Sequence, residues 1–247
     1  MGSPKQAFSP DTSALHAPRP GAHLRLVEGS RATMPRFASV WDTQALVERR
    51  VRRARNAIVL APGQPFAGLV LVRFGSCKST ITGTNGLEQI AAYHIAGETL
   101  GAESICSGVQ DATVTALEDS EFWMMPFAGL EAAARADPSL QRHLCQLLSH
   151  EIARDRRALV MLGTMRAEQR LAAFLLDLAA RYAAAGYSSQ EFVLRLTREE
   201  IGLHLGLSVE TVSRLFTRLH QEGLIHARGK TVKIVDGDGL HALRDGR

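Results

Sequence analysis

The stretch LTREEIGLHLGLSVETVSRLFTRLHQEGLIHARGKTVKIV, residues 196–235, decides the fold. It predicts a helix, a tight turn, a second helix and a short β-hairpin, in that order. Thr197 can cap the first helix, and Glu200 follows three residues later, which makes a capping box. Gly206 can end that helix in the left-handed conformation at little cost. Ser208 then caps the second helix after a turn so short that the pair predicts a helix-turn-helix.

The second helix has two chemically different faces. One face repeats apolar side chains at the i, i+3, i+4, i+7 spacing of a buried stripe, and it consists of Val209, Val212, Leu215, Phe216 and Leu219. The other face is polar, and it consists of Glu210, Ser213, Arg214, Thr217 and Arg218. A helix with such a polar edge can lay its first two turns in a DNA major groove. The alternative is a small helical subdomain whose polar face is only solvated.

The polar side chains suit different parts of a DNA duplex. Arginine can fork onto guanine, glutamate can accept from cytosine, and serine can bond either kind of base edge. We therefore expect Glu210, Ser213 and Arg214 to contact bases. Two strands at 224–227 and 231–235, joined by Arg228-Gly229-Lys230, predict a wing with two cations at its tip. Phosphate contacts, which position a protein without specifying sequence, are expected from Thr197, Thr211, Arg218, Arg228 and Lys230.

The same residues resemble a known family. Residues 210–214 read ETVSR and follow IG at 201–202 and LGL at 205–207. This pattern resembles the winged helix of the CRP/FNR family of bacterial transcription regulators, in the form of its FNR/FixK branch. The resemblance extends upstream to about residue 49. It implies an activator that binds double-stranded DNA as a homodimer, at half-sites such as TTGAT and ATCAA.

Two further expectations follow from that resemblance. A dimer places its recognition helices one DNA turn apart, ~34 Å, so the target should be a near-palindrome. An activator also contacts RNA polymerase, and the loop from Thr82 to Glu88 matches a surface that FNR-like activators use. A plain connecting loop is the alternative for that segment.

Bulk composition fits a two-domain cytoplasmic protein. The chain has 247 residues, of which 45% are hydrophobic, and its net charge of +4 permits nucleic-acid binding without demanding it. Its three cysteines show no C-x-x-C pairing, which suits a reducing compartment. We see no apolar run long enough for a membrane span and no signal peptide. We also find no catalytic motif, P-loop or metal-ligand spacing, so an enzyme is not expected.

Composition marks off the first segment of the chain, and the strand and helix patterns together with the resemblance imply the other three. Residues 1–40 are rich in proline, serine, alanine and arginine and predict a disordered arm. Residues 41–136 predict a β-roll sensor domain, residues 137–163 a dimerisation helix, and residues 164–247 a winged helix-turn-helix DNA-binding domain. Gly163-Thr164 is the expected hinge. The predicted fold class is therefore α+β.

The sensor segment predicts short strands and one helix. Turn signals such as Asn85-Gly86 separate the strands, which are expected at 58–60, 69–72, 77–82, 89–95, 113–116 and 121–125. Helical spacing predicts a helix over residues 41–55, with five arginines between positions 49 and 55. These arginines are interpreted either as a DNA contact or as the solvated face of a helix packed on the next domain.

Two places where the family holds effectors differ in this chain. FNR-type oxygen sensors hold an iron–sulfur cluster with N-terminal cysteines, but no cysteine precedes Cys77, and Trp123 occupies the place of the family's internal ligand. Cyclic-nucleotide-binding members hold the phosphate with an Arg-Ser/Thr pair, where this chain has Gln110-Asp111, and a carboxylate repels phosphate. We expect no cluster, no cyclic AMP and no metal or other cofactor. Glu98, at the ribose-binding place, is expected to be a turn or packing residue.

The cysteines and two isolated histidines support only limited predictions. Cys77 and Cys145 are expected in the core, whereas Cys106 lies in a Gly/Ser loop and should be exposed. A redox-responsive regulator acting through the Cys106 thiol is one alternative function. A regulator with an unidentified small ligand is another, and a winged helix that binds protein is a third. His94 and His143 are expected to be satisfied surface or core residues.

The long helix predicted at residues 138–163 carries an apolar seam near heptad spacing. The resemblance favours pairing of this helix with its twin about a two-fold axis, and packing only within its own chain is the alternative. The resemblance also implies that Asp155 weakens the dimer by like-charge repulsion, with neighbouring arginines in partial compensation. The expected interface residues are Leu144, Leu148, Ile152, Asp155 and Leu159.

Overall fold

The computed structural model describes residues 46–247, so the arm predicted at residues 1–40 lies outside the described part of the chain. The chain forms an N-terminal β-roll, a long connecting helix, and a C-terminal helical unit with a small sheet. This arrangement confirms the predicted α+β fold class.

Two antiparallel four-stranded sheets form the roll, with strand orders β1-β8-β3-β6 and β2-β7-β4-β5. All six predicted strands are confirmed, with ends within two residues of the expected positions. The strands of the roll are β1 (Arg49–Arg53), β2 (Ile58–Leu60), β3 (Gly68–Phe74), β4 (Ser76–Thr82), β5 (Glu88–Ile95), β6 (Thr99–Leu100), β7 (Thr113–Ala116) and β8 (Ser120–Pro126).

The prediction of a helix over residues 41–55 is wrong in its described part. Arg49–Arg53 form strand β1 at a sheet edge and pair antiparallel with β8. Only Val51 is apolar among these five residues. With arginines on both sides of the strand, the sequence lacks the alternation of apolar and polar residues that marks a half-buried strand.

Apolar side chains of β3 are buried on both faces of its sheet. Val70 and Val72 point into the roll, where they pack in a cluster with Phe122. Leu69 and Leu71 point to the outer face and pack in a second cluster, together with residues of the helices that follow β8. Side chains alternate between the two faces along a strand, so a continuous apolar run is what a strand covered on both sides requires.

Six α-helices occur in the described chain. The long helix includes both residues of the expected hinge, Gly163 and Thr164, and the chain leaves the helix at Met165. The helices are α1 (Phe127–Ala136), α2 (Pro138–Thr164), α3 (Ala167–Ala184), α4 (Arg198–Leu205), α5 (Val209–Gln221) and α6 (Gly237–Asp245).

The C-terminal unit is built on α3. Leu171, Leu175 and Leu178 of this helix are fully buried in one core with residues of α4 and α5. A three-stranded antiparallel sheet closes the unit, with the order β10-β11-β9. Its strands are β9 (Glu191–Val193), β10 (Ile225–Arg228) and β11 (Thr231–Ile234).

Candidate nucleic-acid interface

Local hydrogen bonds fix both helices of the helix-turn-helix, as the sequence predicted. The Thr197 hydroxyl accepts from the Glu200 N–H at 3.1 Å, and the Glu200 carboxylate accepts from the Thr197 N–H at 2.7 Å. Gly206 ends α4 with φ 64°. The Ser208 hydroxyl then caps α5 by accepting from the Thr211 N–H at 3.1 Å. These bonds satisfy helix-end donors that would otherwise be unpaired.

Gly202 allows the two helices to approach closely. Its carbonyl accepts from the Leu207 N–H at 2.9 Å. A Cβ at Gly202 would lie 2.5 Å from the Leu207 carbonyl oxygen, which is closer than atoms can pack. The tight turn therefore needs glycine at this position, for space rather than for a special backbone angle.

The apolar face of α5 is buried, with one exception. Val212, Leu215, Phe216 and Leu219 lie in the core of the C-terminal unit. The prediction for Val209 is wrong, because its side chain is 46% exposed. Val209 is the first residue of α5, and it lies beyond the part of the helix that the core covers.

The three residues expected to contact bases are exposed on the first turns of α5, and we call them the recognition strip: Glu210, Ser213 and Arg214. Within residues 46–247, the side chains of Glu210 and Arg214 make no hydrogen bond or ion pair. The Ser213 hydroxyl donates to the Val209 carbonyl at 2.8 Å, which leaves its oxygen free to accept. The strip therefore presents a donor fork and acceptors to an incoming surface.

The wing is a two-residue hairpin. Arg228 pairs with Thr231 across the strands, so Gly229 and Lys230 alone form the turn, and Gly229 has φ 59°. Arg228 therefore belongs to β10 rather than to the tip. Both cationic side chains are exposed.

The other residues expected to contact phosphates differ in exposure and in the hydrogen bonds they already make. Thr197 is exposed, whereas Thr211 is half-buried and its hydroxyl lies 2.9 Å from that of Ser208. Arg218 donates to Glu222 at 2.7 Å, one helical turn away. This bond uses the Nε–H of Arg218, so its other N–H groups remain available to a phosphate.

Sequence reasoning missed two arginines that orient the helices. The guanidinium of Arg198 lies 3.2 Å from the centre of the Phe216 ring, so α4 and α5 contact each other through this stack. Burial there lowers the pKa of Arg198 to about 10. Arg170 donates to the carbonyls of Leu162 at 2.8 Å and Leu205 at 3.0 Å, which joins the end of α2 to the end of α4.

Side chains on one face of α2 pack against the roll of the same chain. Leu140 and Leu147 are buried, and Leu144 packs against the same core on the outer face of the roll. The structure therefore places Leu144, an expected interface residue, toward its own chain.

The adjacent face of α2 carries an exposed, mainly apolar stripe, which we call the α2 stripe: Leu148, Ile152, Asp155 and Leu159. The side chains of Ile152 and Leu159 are 53% and 71% exposed. The spacing alternates between four and three residues, as in a coiled-coil seam. Cys145 extends the stripe by one step and is exposed, so its expected place in the core is wrong.

Polar contacts hold the helix-turn-helix against the roll. Lys78 on β4 pairs with Glu200 at 2.6 Å. The His204 ring on α4 donates from Nδ1 to the Ile90 carbonyl on β5 at 2.9 Å. The first helix of the helix-turn-helix is therefore attached to a sheet of the roll.

Glu98 of the roll contacts α3 of the C-terminal unit, so its expected role as a turn or packing residue is incomplete. One carboxylate oxygen accepts from the Ile95 N–H at 3.0 Å within the turn, but both oxygens also accept from Arg181 of α3, at 2.7 Å and 2.6 Å. Arg181 also pairs with Asp177 at 3.2 Å and donates to the Tyr93 carbonyl. Burial alone would raise the pKa of Glu98, but the Arg181 guanidinium holds that pKa below its ordinary value.

The positions at which the resemblance implies effector sites carry other side chains here. The Gln110 side chain is buried, and its amide oxygen accepts from the Ser104 hydroxyl at 2.9 Å. Asp111 beside it is exposed. The Trp123 ring is buried, and its N–H donates to Glu121 at 2.9 Å.

The remaining cysteines lie as expected, and one histidine does not. Cys77 is buried, which raises the pKa of its thiol, and Cys106 is exposed. His94 is buried with its Nε2 3.1 Å from the Ser79 hydroxyl. Its Nδ1 has no hydrogen-bond partner in the described chain, so the expectation of a fully satisfied histidine is wrong. Burial lowers the pKa of His94 to about 3, so its ring is neutral.

Two further kinds of feature are absent from residues 46–247. No group of three or more His, Cys, Asp or Glu side chains there is arranged to hold a metal ion. No helix in this part of the chain is long and apolar enough to cross a membrane.

Both halves of the chain match known domains. A cyclic nucleotide-binding domain matches residues 50–137, and a Crp-like helix-turn-helix domain matches residues 169–243. The transcriptional regulatory protein Btr of Bordetella pertussis is 44% identical over 198 residues, which cover 80% of this chain and 82% of that protein. The transcriptional activator protein Anr of Pseudomonas aeruginosa is 37% identical over 232 residues, which cover 92% and 95% of the two chains.

Solved structures agree with these relatives. The structure of FixK2 from Bradyrhizobium japonicum matches with a TM-score of 0.72 and 26% sequence identity. The match covers 79% of this chain and 96% of the FixK2 chain. The roll, the long helix and the winged helix-turn-helix follow one another in the order that these domain matches require. The chain therefore belongs to the CRP/FNR family of transcription regulators.

Proposed function

We propose that this chain activates transcription by binding near-palindromic DNA with TTGAT and ATCAA half-sites as a homodimer. The recognition strip carries the proposal, because Glu210 and Arg214 are exposed on α5 without partners among the described residues. Two charged side chains kept free at the start of a recognition helix suit base-edge readout in a major groove. The activator role is supported by the relative Anr, which is a transcriptional activator protein.

In this proposal some residues specify the DNA sequence, and others position the protein on the duplex. Arg214 takes a guanine edge in a fork, while Glu210 and Ser213 select neighbouring bases. Side chains at the cap of α4, along α5 and on the wing contact phosphates, which set the register on the duplex. They are Thr197, Thr211, Arg218, Arg228 and Lys230.

The α2 stripe supports the dimer. Regulators of the CRP/FNR family bind DNA as dimers. In this chain an apolar stripe with coiled-coil spacing is exposed along α2, and a twin helix packed on it buries Leu148, Ile152 and Leu159. Asp155 lies in the same stripe, so pairing brings two carboxylates near the axis and weakens the dimer.

The proposal includes no iron–sulfur cluster and no cyclic nucleotide. The chain has three cysteines in all, whereas such clusters usually need four thiolates. Cys77 is buried in the roll, whereas Cys106 and Cys145 are exposed. Gln110 and Asp111 provide no guanidinium for a cyclic phosphate. Together these residues support a regulator that works without either effector.

The loop from Thr82 to Glu88 is proposed as the contact with RNA polymerase. It is the tip of the β4–β5 hairpin. Leu87 in this loop is 69% exposed, and Ile81 just before it is 41% exposed. An apolar side chain at an exposed hairpin tip favours a protein contact over a plain connection.

A second candidate is control by a small ligand that binds between the units. A cavity of about 320 Å³ lies beside the Glu98–Arg181 pair and is also lined by Glu151, Arg154 and Arg157. A ligand there would contact the roll, α2 and α3 together, and so could bias the orientation of the DNA-binding unit.

An electrophoretic mobility shift tests the main proposal. The probe carries TTGAT and ATCAA with centres one helical turn apart, and the control duplex has the same composition in scrambled order. We expect specific binding that weakens steeply with salt. Equal affinity for both duplexes would contradict the proposal and favour a winged helix that binds protein.

A further inference from the structure

Two exposed histidines meet where α5 ends and the wing begins. The ring centres of His220 and His226 lie 5.0 Å apart, and the ring planes are inclined by 51°. Both side chains are exposed, and within residues 46–247 neither ring makes a hydrogen bond or an ion pair. Neither histidine is among the residues proposed to contact DNA, so the proposed function leaves this pair unexplained.

The turn after α5 brings the two rings together. Gly223 follows the helix with φ 73°, and its N–H donates to the His220 carbonyl at 3.1 Å. The Leu224 N–H donates to the Leu219 carbonyl at 3.0 Å, and β10 begins at Ile225. Glycine adopts this left-handed conformation at little cost because it lacks a Cβ. The chain therefore reverses sharply and returns beside the last turn of the helix.

Buried neighbours hold the backbone at both histidines. Leu219 and Ile225, which are adjacent to them in sequence, are each 1% exposed. Side chains alternate between the two faces of a strand, so the burial of Ile225 directs His226 to the outer face of the wing. The fold thus sets the separation of the two side chains, whereas each exposed ring can rotate.

The separation of the rings suits a shared metal ion. An imidazole nitrogen lies ~2.0–2.1 Å from a bound Zn²⁺. With tetrahedral or octahedral angles at the ion, the centres of two rings that share it lie about 4.5–5.2 Å apart. The observed 5.0 Å falls within this range. Side-chain rotation alone can therefore turn one nitrogen of each ring toward a common ion.

The charges around the pair leave room for a cation. Lys233 lies opposite His226 across the strands, and its charge opposes a metal ion. Its side chain is exposed, however, so the ammonium group can extend into water. Arg218 near the end of α5 is neutralised by Glu222 at 2.7 Å. The affinity for a metal ion should therefore depend on the charge at position 233.

We propose that His220 and His226 bind a divalent transition-metal ion of the class that prefers imidazole, such as Zn²⁺, with water completing the coordination. Neutral imidazole nitrogens are ligands for zinc, nickel and copper. Two protein ligands are fewer than a resident zinc site usually has, so the ion binds reversibly. A bound ion joins the last turn of α5 to β10 and stabilises the winged helix-turn-helix. This inference goes beyond the proposed function and does not require DNA binding.

Calorimetric titration with zinc chloride tests the site on the full chain without a histidine tag. The titration is made at about pH 7.5, where a free imidazole is mostly neutral. The variants are His220→Gln and His226→Gln, and the control is His241→Gln, which replaces an exposed histidine on α6. We expect the Kd for zinc to rise at least about tenfold in each variant, since even changes outside the ligand set cost about 10–100-fold. The control should bind zinc as the wild type does.

Nuclear magnetic resonance of the histidine rings identifies the ligands directly. In long-range ¹H–¹⁵N spectra, one ring nitrogen of His220 and one of His226 should shift at the same zinc concentration. Lys233→Gln removes no ligand, yet it should bind zinc more tightly because it removes the opposing charge. A merely structural role of the two histidines would produce neither effect.

Two results would overturn the inference. One is an unchanged zinc affinity in both His220→Gln and His226→Gln. The other is a zinc-dependent shift of one ring without the other, which would assign the ion to a single surface histidine. Both measurements contain no DNA, so either result leaves the proposed function intact, and loss of operator binding would leave the metal site intact.

Discussion

Replacing Arg181 by glutamine should loosen the contact between the roll and the DNA-binding unit. In the wild type, the Arg181 guanidinium donates to both carboxylate oxygens of Glu98, at 2.7 Å and 2.6 Å. The two side chains are only 18% and 25% exposed. The variant leaves the Glu98 carboxylate partly buried without its cation.

The magnitude follows from this burial. Removing one partner of a fully buried ion pair costs about 3–5 kcal/mol, and water that reaches a partly exposed pair reduces that cost. We therefore expect the free energy of unfolding to fall by about 2–3 kcal/mol. For a protein of this size, Tm falls by about 2–4 °C per kcal/mol, so Tm should fall by about 4–12 °C.

Thermal and urea unfolding of four proteins measures the interaction energy between Glu98 and Arg181. They are the wild type, Arg181→Gln, Glu98→Gln and the double variant, measured at neutral pH. The double variant should be nearly as stable as either single variant, which gives a coupling energy of about 2 kcal/mol. Additive effects, within about 0.5 kcal/mol, would refute the reasoning.

The pH dependence has a defined sign. The folded-state pKa of Glu98 lies below its ordinary value of 4.5 because of Arg181. The stability from this pair is therefore fully present above that ordinary value and disappears as pH falls through the lower folded-state value. The stability difference between wild type and Arg181→Gln should be constant near neutral pH and should shrink below about pH 4.

Four other substitutions have definite outcomes. Leu159→Asp should break the dimer by placing charges on the α2 stripe, whereas Asp155→Ala should tighten it; sedimentation equilibrium that finds one dissociation constant for both variants would exclude this interface. Lys230→Ala should weaken binding to specific and scrambled DNA alike and reduce the salt slope by about 0.9 per protomer, as filter binding over a salt series can measure. Gly202→Ala should lower the free energy of unfolding by about 2 kcal/mol or more, because its Cβ meets the Leu207 carbonyl oxygen at 2.5 Å; unchanged urea unfolding would contradict that clash.

The helix-turn-helix could be predicted from the sequence because its signals are local. The cap at Thr197, the left-handed Gly206 and the cap at Ser208 lie within twelve residues and each specifies a backbone conformation. The strands of the roll were predictable for a similar reason, since turn residues separate short apolar runs. Agreement between several local signals made both predictions reliable.

Two contacts that the sequence did not predict join distant residues. Glu98 and Arg181 are 83 positions apart, and Arg170 reaches the Leu205 carbonyl 35 positions away. A single charged residue in a helical pattern is compatible both with exposure to solvent and with a buried ion pair. No local signal in the sequence therefore identifies either contact. Strand β1 was missed because its arginines obscure the one apolar side chain that faces the roll, that of Val51.

The most direct test of DNA recognition by this chain is to measure which base pair Arg214 specifies. Wild type and Arg214→Ala are compared by mobility shift on the TTGAT palindrome and on every single-base substitution of one half-site. The account predicts that Arg214→Ala binds the palindrome about 1–3 kcal/mol more weakly and no longer discriminates at one guanine-containing base pair. An Arg214→Ala protein with unchanged affinity and an unchanged base preference at every position would contradict it.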